Sequence, residues 1–403
     1  MTTGTLTPPV ADWVDPVQLQ IDPYPTYERL RAEAPVAFVP FMGQYFVSRY
    51  EDCKYVEMSP TIFSSDAGTE TTIHQTMRTR TMVQADDPEH TELRQPINSG
   101  LRPRAIKERW TEAFRANTRF YMDRLADTGP DHADLNKLVA SPLAAKNLLD
   151  MLGFRDVEAE TVREWSASIV RGLGNVAQDP DTWAEVNATV DEIDARLDEL
   201  IPYLRQHPDN TLTSAFIEAG RPDASIKANV RLILSGGVNE PQHAVTNMVW
   251  ALTEHPEQRD DVFAHPELWP DVFEESLRWL SPIGFVPRST REEVELAGVT
   301  VPAGSVVSSL LASANRDDRV FENPDAFDIR RAKTPNLAFG AGPHQCAGAW
   351  VARWAVGSIA VPMLYERFDG LRNAEDRSAD WFGFVFRGLV DHPVTWDKDR
   401  GNN

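Results

Sequence analysis

The chain has 403 residues, 42% of them hydrophobic and 9% aromatic, which is enough for an extensive core and an enclosed apolar pocket. Lys and Arg number 40 against 61 Asp and Glu, a net charge of −21, and this balance excludes a nucleic-acid binder and adhesion to anionic lipid. No apolar segment follows a basic start and none approaches bilayer length, so with two cysteines the expectation is a cytoplasmic protein with no membrane partner.

No linker, repeat or low-complexity tract interrupts the sequence, which predicts one domain over 1–403 with disorder only at 1–11 and 399–403. In chain order, Pro25 to Ala34 reads as a short amphipathic helix. Val36 to Pro40 and Gln44 to Ser48 alternate like the arms of a hairpin across Met42-Gly43. Helical periodicity then dominates, through Arg104 to Leu125, Ser141 to Leu152, Thr161 to Leu173 and Thr182 to Gln206. A cluster of Arg102, Arg104, Lys107 and Arg109 stands out in so acidic a chain, as a solvated helix face or as a dock for an acidic electron donor.

Residues 224–255 form the longest predicted helix, apolar nearly all round from Val230 to Leu234 and from Val245 to Leu252. Its centre, Ser235-Gly236-Gly237-Val238-Asn239-Glu240-Pro241-Gln242, must open locally, because proline removes a helical hydrogen bond and the glycines loosen the turn before it. Asp271 to Leu280 is helical and places Glu275 and Arg278 on one face. Strands return between Ile283 and Leu310 with a turn at Pro302-Ala303-Gly304, and alternation resumes in the last forty residues. The fold class is mainly α with a minor β region.

The most informative stretch is Phe339-Gly340-Ala341-Gly342-Pro343-His344-Gln345-Cys346-Ala347-Gly348. Gly340 and Gly342 allow a compact turn and close approach to a flat cofactor. A helix beginning near Ala347 would aim its first N–H groups and the positive end of its dipole at Cys346, favouring a thiolate. A dinucleotide loop would need a third glycine where Gln345 stands. Zinc or iron–sulfur ligation would need companion cysteines, and Cys53 is remote in sequence. One thiolate alone points to haem.

The pattern Phe-x-x-Gly-x-His-x-Cys-x-Gly resembles the haem-ligand loop of the cytochrome P450 superfamily. The resemblance implies the cytochrome P450 fold, haem b ligated by Cys346 and packed against Phe339 and Gly340, and propionates held by His90, Arg94, Arg288 and His344. It implies a bracing triad of Glu275, Arg278 and Arg330. It also implies O2 as a reactant, with electrons from a ferredoxin or an iron–sulfur flavoprotein reductase using NAD(P)H. Where the family carries an acid followed by an alcohol at the helix break, Asn239 and Glu240 stand, so proton delivery passes to Glu240. Asn336 takes a place often held by histidine.

Asp22-Pro23-Tyr24, the segment Tyr27 to Pro35, the Glu240-Pro241 break and Trp381 to Gly388 are similar to bacterial guaiacol-type aryl-ether O-demethylases. That subgroup hydroxylates a methoxyl carbon, and the hemiacetal splits to a phenol and formaldehyde, a reaction of lignin-aromatic catabolism. Phe386 matches its pocket aromatic, whereas Leu173 replaces a bulky phenylalanine, which implies room for an aromatic substrate such as syringol or a 4-alkylguaiacol. Leu232, Gly236, Ile283 and Phe285 complete the expected pocket. The alternatives are a hydroxylase of a terpenoid or other compact apolar molecule, and a haem-based sensor without turnover.

Overall fold

A computed structural model describes residues 7–401 apart from 67 and 176, so the disorder expected at 1–6 and 402–403 lies outside the described residues. About 54% of the chain is helical. Two compact units form, each drawn from three stretches of sequence. One falls within 1–67, 254–346 and 380–390, and the other within 68–253, 347–379 and 391–403.

The first unit is built on a five-stranded sheet. Val36–Val39 and Gln44–Val47 pair antiparallel in the register Val36 to Val47, forming the hairpin expected from their alternation. Gln44–Val47 then runs parallel to Val306–Ser309, which pairs antiparallel with Val286–Thr290, and Phe63–Ser64 completes the far edge. The two-residue period decides which side each residue serves. Val36 and Val47 join Cys53, Phe63 and Val307 in one apolar core, while their neighbours Ala37 and Phe46 join Leu30, Leu310 and Phe384 in another.

Two stretches expected to be disordered are tied down. The buried Ala11 donates its N–H to the Phe38 carbonyl at 2.8 Å. At the other end, Lys398–Asp399 pairs with Phe368–Asp369, and Arg367 Nε donates to Asp399 at 2.9 Å. Strand pairing and an ion pair supply the order that polar composition alone argued against.

The helix Trp269–Trp279 buries Glu275 and Arg278, joined at 2.7 Å, and Arg278 also caps the carbonyls of Asn315, Pro324 and Ala326. The third member of this brace is Arg331, whose Nε lies 3.2 Å from Glu275, and not Arg330. The reason is a turn. Asp328 N–H donates to Glu275, and Arg331 N–H donates back to the Asp328 carbonyl, which swings Arg331 inward. Arg330 faces outward to Asp261 at 2.6 Å.

The second unit is largely helical. Ser141–Leu152 forms with the expected bounds, and Pro103–Thr128, Ala159–Leu173 and Pro180–Gln206 extend the expected helices by a few residues. Two wide π-type stretches, Asn136–Ala140 and Arg353–Ala360, each precede a helix with proline near its start, Pro142 and Pro362. A proline lacks the N–H that would reach back one turn and crowds that carbonyl, so widening the preceding turn relieves both. Arg231 lies within the apolar run of the long helix, yet it is buried and ion-paired with Asp194.

Candidate functional site

The loop bearing Cys346 is closed by its own main chain. Cys346 N–H donates to the Phe339 carbonyl at 2.9 Å, Gly340 N–H to Leu337 at 2.8 Å and Gln345 N–H to Gly342 at 3.1 Å. Both glycines sit at positive φ, 67° and 66°, where other residues are strained. At Gly342 a Cβ would also lie 2.3 Å from the main-chain oxygen of Glu57, so a side chain is excluded twice over. The loop is anchored from outside by Tyr50, whose hydroxyl donates to the Pro335 carbonyl at 2.7 Å, and by Asn315, which accepts from Leu337 N–H at 2.6 Å. Asn336 bridges the Glu274 carbonyl and Ala338 N–H, a positioning task open to an amide.

Cys346 is exposed on this loop, whereas Cys53 is fully buried and its thiol is pushed well up by burial. Phe339 stacks on Phe273 with centroids 6.3 Å apart. The helix after the loop starts at Ala349, with Gly348 as its cap, two residues later than expected. Among the described residues no three His, Cys, Asp or Glu side chains cluster as a metal site. A single thiolate on a glycine loop, with Arg288 and His344 in the same unit, therefore fits haem and fits no multidentate metal ion.

Arg288 lies on the strand Val286–Thr290 and is buried. Its Nη2 donates to Glu57 at 2.5 Å and its Nη1 to the Pro287 carbonyl at 2.8 Å. Ile283 faces Phe386 through an antiparallel bridge, secured by Arg387 N–H to Pro282 at 2.8 Å and Gly284 N–H to Val385 at 2.9 Å. Both side chains are partly exposed. Phe285 turns into the core, 5.1 Å from Phe384 and 6.2 Å from Phe46.

The other expected site residues belong to the second unit. The long helix breaks at Gly237 and Val238, between Asp223–Gly236 and Asn239–Glu254. A Cβ on Gly237 would lie 2.8 Å from Leu148, so packing as well as flexibility demands glycine. Pro241 lacks the donor that would reach the Gly237 carbonyl. Into this opening Glu240 folds back over Gly236, its carboxylate oxygens 3.6 and 3.7 Å from where a Cβ would stand there. Burial pushes the Glu240 carboxyl up to about 8.

One turn on, His243 is buried and pushed down to about 4 by burial, so it is neutral at physiological pH. Asn239 Nδ2, Glu240 Oε2 and His243 Nδ1 are all buried without a hydrogen-bond partner among the described residues. Helical spacing puts His243 beside both Asn239, at i, i+4, and Glu240, at i, i+3, and helix side chains lean toward the N-terminus, over the break. His243 was hidden in the sequence by its apolar neighbours; its position three after Glu240 was the available signal.

His90 and Arg94 share the helix Glu89–Asn98, with His90 buried and its Nδ1 3.5 Å from Asp87. Burial first, and then the charge of Arg94, push the His90 imidazole below the usual histidine range. Leu173 ends its helix partly exposed, its carbonyl accepting from Thr72 at 2.8 Å, and Leu232 is partly exposed on the helix before the break. Arg102, Arg104, Lys107 and Arg109 are exposed at the start of Pro103–Thr128. Lys107 Nζ lies 4.2 Å over the Trp354 ring, and Trp350 nearby in sequence is 51% exposed.

Residues 261–376 match the family described as cytochrome P450. Nocardicin C N-oxygenase of Nocardia uniformis subsp. tsuyamanensis is 34% identical over 401 residues, covering 95% of this chain and 97% of that protein. Cytochrome P450 107B1 of Saccharopolyspora erythraea is 31% identical over 395 residues, covering 93% and 95%. Among solved structures, P450BioI in complex with acyl carrier protein ligated to hexadec-9Z-enoic acid superposes with a TM-score of 0.86 at 26% identity, covering 95% of this chain and 100% of that one. No helix among the described residues is long and apolar enough to cross a membrane.

Proposed function

This chain belongs to the cytochrome P450 family and is a haem-thiolate monooxygenase, and we propose that it removes the methyl group of a methoxyphenol as formaldehyde, with 1–403 acting as one catalytic domain in the cytoplasm. Enzymes of this family use O2, electrons from redox partners and small-molecule substrates, with haem b held by a cysteine thiolate. Cys346 is that ligand here. The bound haem supplies the dioxygen-activating chemistry.

The observation that carries the methoxyphenol reading is the Ile283 and Phe386 pair. An aliphatic and an aromatic side chain, held at fixed register by main-chain hydrogen bonds, offer a flat apolar wall to a single ring. The sequence resemblance adds Leu173, Leu232 and Gly236 as substrate-binding residues, and the modest size of Leu173 would leave room for a second methoxyl or an alkyl group. His90, Arg94, Arg288 and His344 would hold the haem propionates, and Phe339 and Gly340 would pack against the haem.

In the reaction one oxygen atom enters a methyl C–H bond. The other leaves as water after two electrons and two protons arrive, and the hemiacetal then splits into phenol and formaldehyde. Glu240 keeps its proton at neutral pH because it is buried, and it can release that proton from Oε2 within the helix break. Asn239 Nδ2 and His243 Nδ1, both with unmet hydrogen-bonding capacity, suit a water that returns the proton. The exposed basic face of Arg102, Arg104, Lys107 and Arg109 suits an acidic ferredoxin or an iron–sulfur flavoprotein reductase using NAD(P)H.

The test is a panel of guaiacol, syringol and 4-alkylguaiacols given to the haem-loaded protein with a reductase. Expected are a substrate-induced Soret shift and formaldehyde in equal yield with the phenol. If every member gives neither, the reading fails and the apolar lining favours hydroxylation of a terpenoid or other compact aliphatic molecule.

A further inference from the structure

Glu57 is an acid in a place built for an apolar residue. On the helix Tyr50–Met58 it shares the buried face with Tyr50 and Cys53, and it is only 3% exposed. Its Oε2 receives Arg288 Nη2 at 2.5 Å, in a pair whose two side chains are 2% and 8% exposed. Its Oε1 has no hydrogen-bond partner among the described residues. The same residue's main-chain oxygen fills the space where Gly342 would carry a side chain. Glu57 therefore touches both the arginine assigned to a haem propionate and the loop assigned to the iron ligand.

A buried ion pair is costly to assemble and still more costly to break, so its retention needs a reason beyond stability. We propose that Glu57 is a positioning residue for the haem edge: its carboxylate fixes the Arg288 guanidinium, sets the net charge there, and its main chain seats the Cys346 loop. This rests on the haem assignment but not on the identity of the substrate. With Glu57 ionised, the Arg288 charge is compensated, and the protein stabilises the more positive, oxidised state of the iron. Burial pushes the Glu57 carboxyl up, while the charge of Arg288 pulls it back.

The experiment uses the haem-loaded chain without substrate. Glu57→Gln keeps the shape and removes the charge. Its midpoint potential is expected to move positive, and Arg288→Ala is expected to abolish that shift when the two changes are combined. Haem transfer to excess apomyoglobin is expected to quicken about tenfold, the usual scale for losing an outer partner of a ligand set. A Glu57→Gln potential equal to wild type, or the same shift in the Arg288→Ala background, overturns the proposal.

If Glu57→Gln does not fold, Glu57→Asp decides. It withdraws the carboxylate by one methylene while keeping the charge, and must release haem faster at a temperature where the variant is still fully folded; equal release overturns the proposal. Failure of the methoxyphenol reading leaves these outcomes untouched. A wild-type protein whose CO complex lacks the thiolate signature overturns both.

Discussion

Arg331 closes on Glu275 at 3.2 Å while its neighbour Arg330 turns away to Asp261. Adjacent arginines thus hold opposite roles, and their substitutions separate cleanly. Arg331 is 12% exposed and its partner 6%, so Arg331→Ala removes a charged hydrogen bond from a buried carboxylate that Arg278 still holds, and should cost about 2 kcal/mol. Arg330 is 55% exposed and its pair with Asp261 is screened by solvent, so Arg330→Ala should cost much less than Arg331→Ala. Urea unfolding of the two haem-loaded variants checks the contrast; equal losses would restore Arg330 to the brace.

Glu240 sets a pH dependence with a definite sign. Its carboxyl titrates near 4.5 when unfolded and about 8 when folded, so the folded state holds the extra proton between those values. The associated stability is fully present below 4.5 and is lost as pH rises toward about 8. Turnover limited by Glu240 as a proton donor should likewise fall above about 8. Glu240→Gln should flatten both profiles in that window, measured by thermal unfolding and by formaldehyde release. A wild-type stability slope unchanged by the substitution would remove Glu240 from the account.

Pocket size is tested at Leu173. Leu173→Phe should shift preference from syringol toward guaiacol by about tenfold in kcat/KM, the scale at which apolar pockets discriminate small groups. The measurement is competitive turnover of the two substrates. An unaltered ratio would place Leu173 outside the pocket.

Gly284 lies between Ile283 and Phe285, where an added Cβ would meet the Phe384 carbonyl oxygen at 1.9 Å. Gly284→Ala must push apart the segments that hold Ile283 against Phe386. A loss of about 2 kcal/mol in unfolding free energy is expected, together with a weaker substrate-induced Soret shift. A variant as stable as the parent would show that this segment yields easily.

Much of this was legible in the sequence because local rules sufficed. Gly340, Gly342 and Cys346 announce a tight loop, alternation marks the strands around Val36 and Gln44, and the Gly237 to Pro241 stretch must break its helix. What escaped detection depends on tertiary neighbours. Whether Arg330 or Arg331 meets Glu275 is decided by a turn at Asp328, which spacing alone does not reveal. Glu57 and His243 both sit on otherwise apolar helix faces, and neither stood out in the sequence. A charged or titratable residue at a position where the pattern demands an apolar one was the signal available for each.

The way the two units are cut from the chain has a consequence for biosynthesis. The first takes its last piece from 380–390, and the second from 391–403. During synthesis neither can be completed until its piece beyond residue 379 has left the ribosome, so early segments wait with unburied apolar surface. A premature stop before Asp380 removes a piece of both, and no single break in the chain can release either one whole.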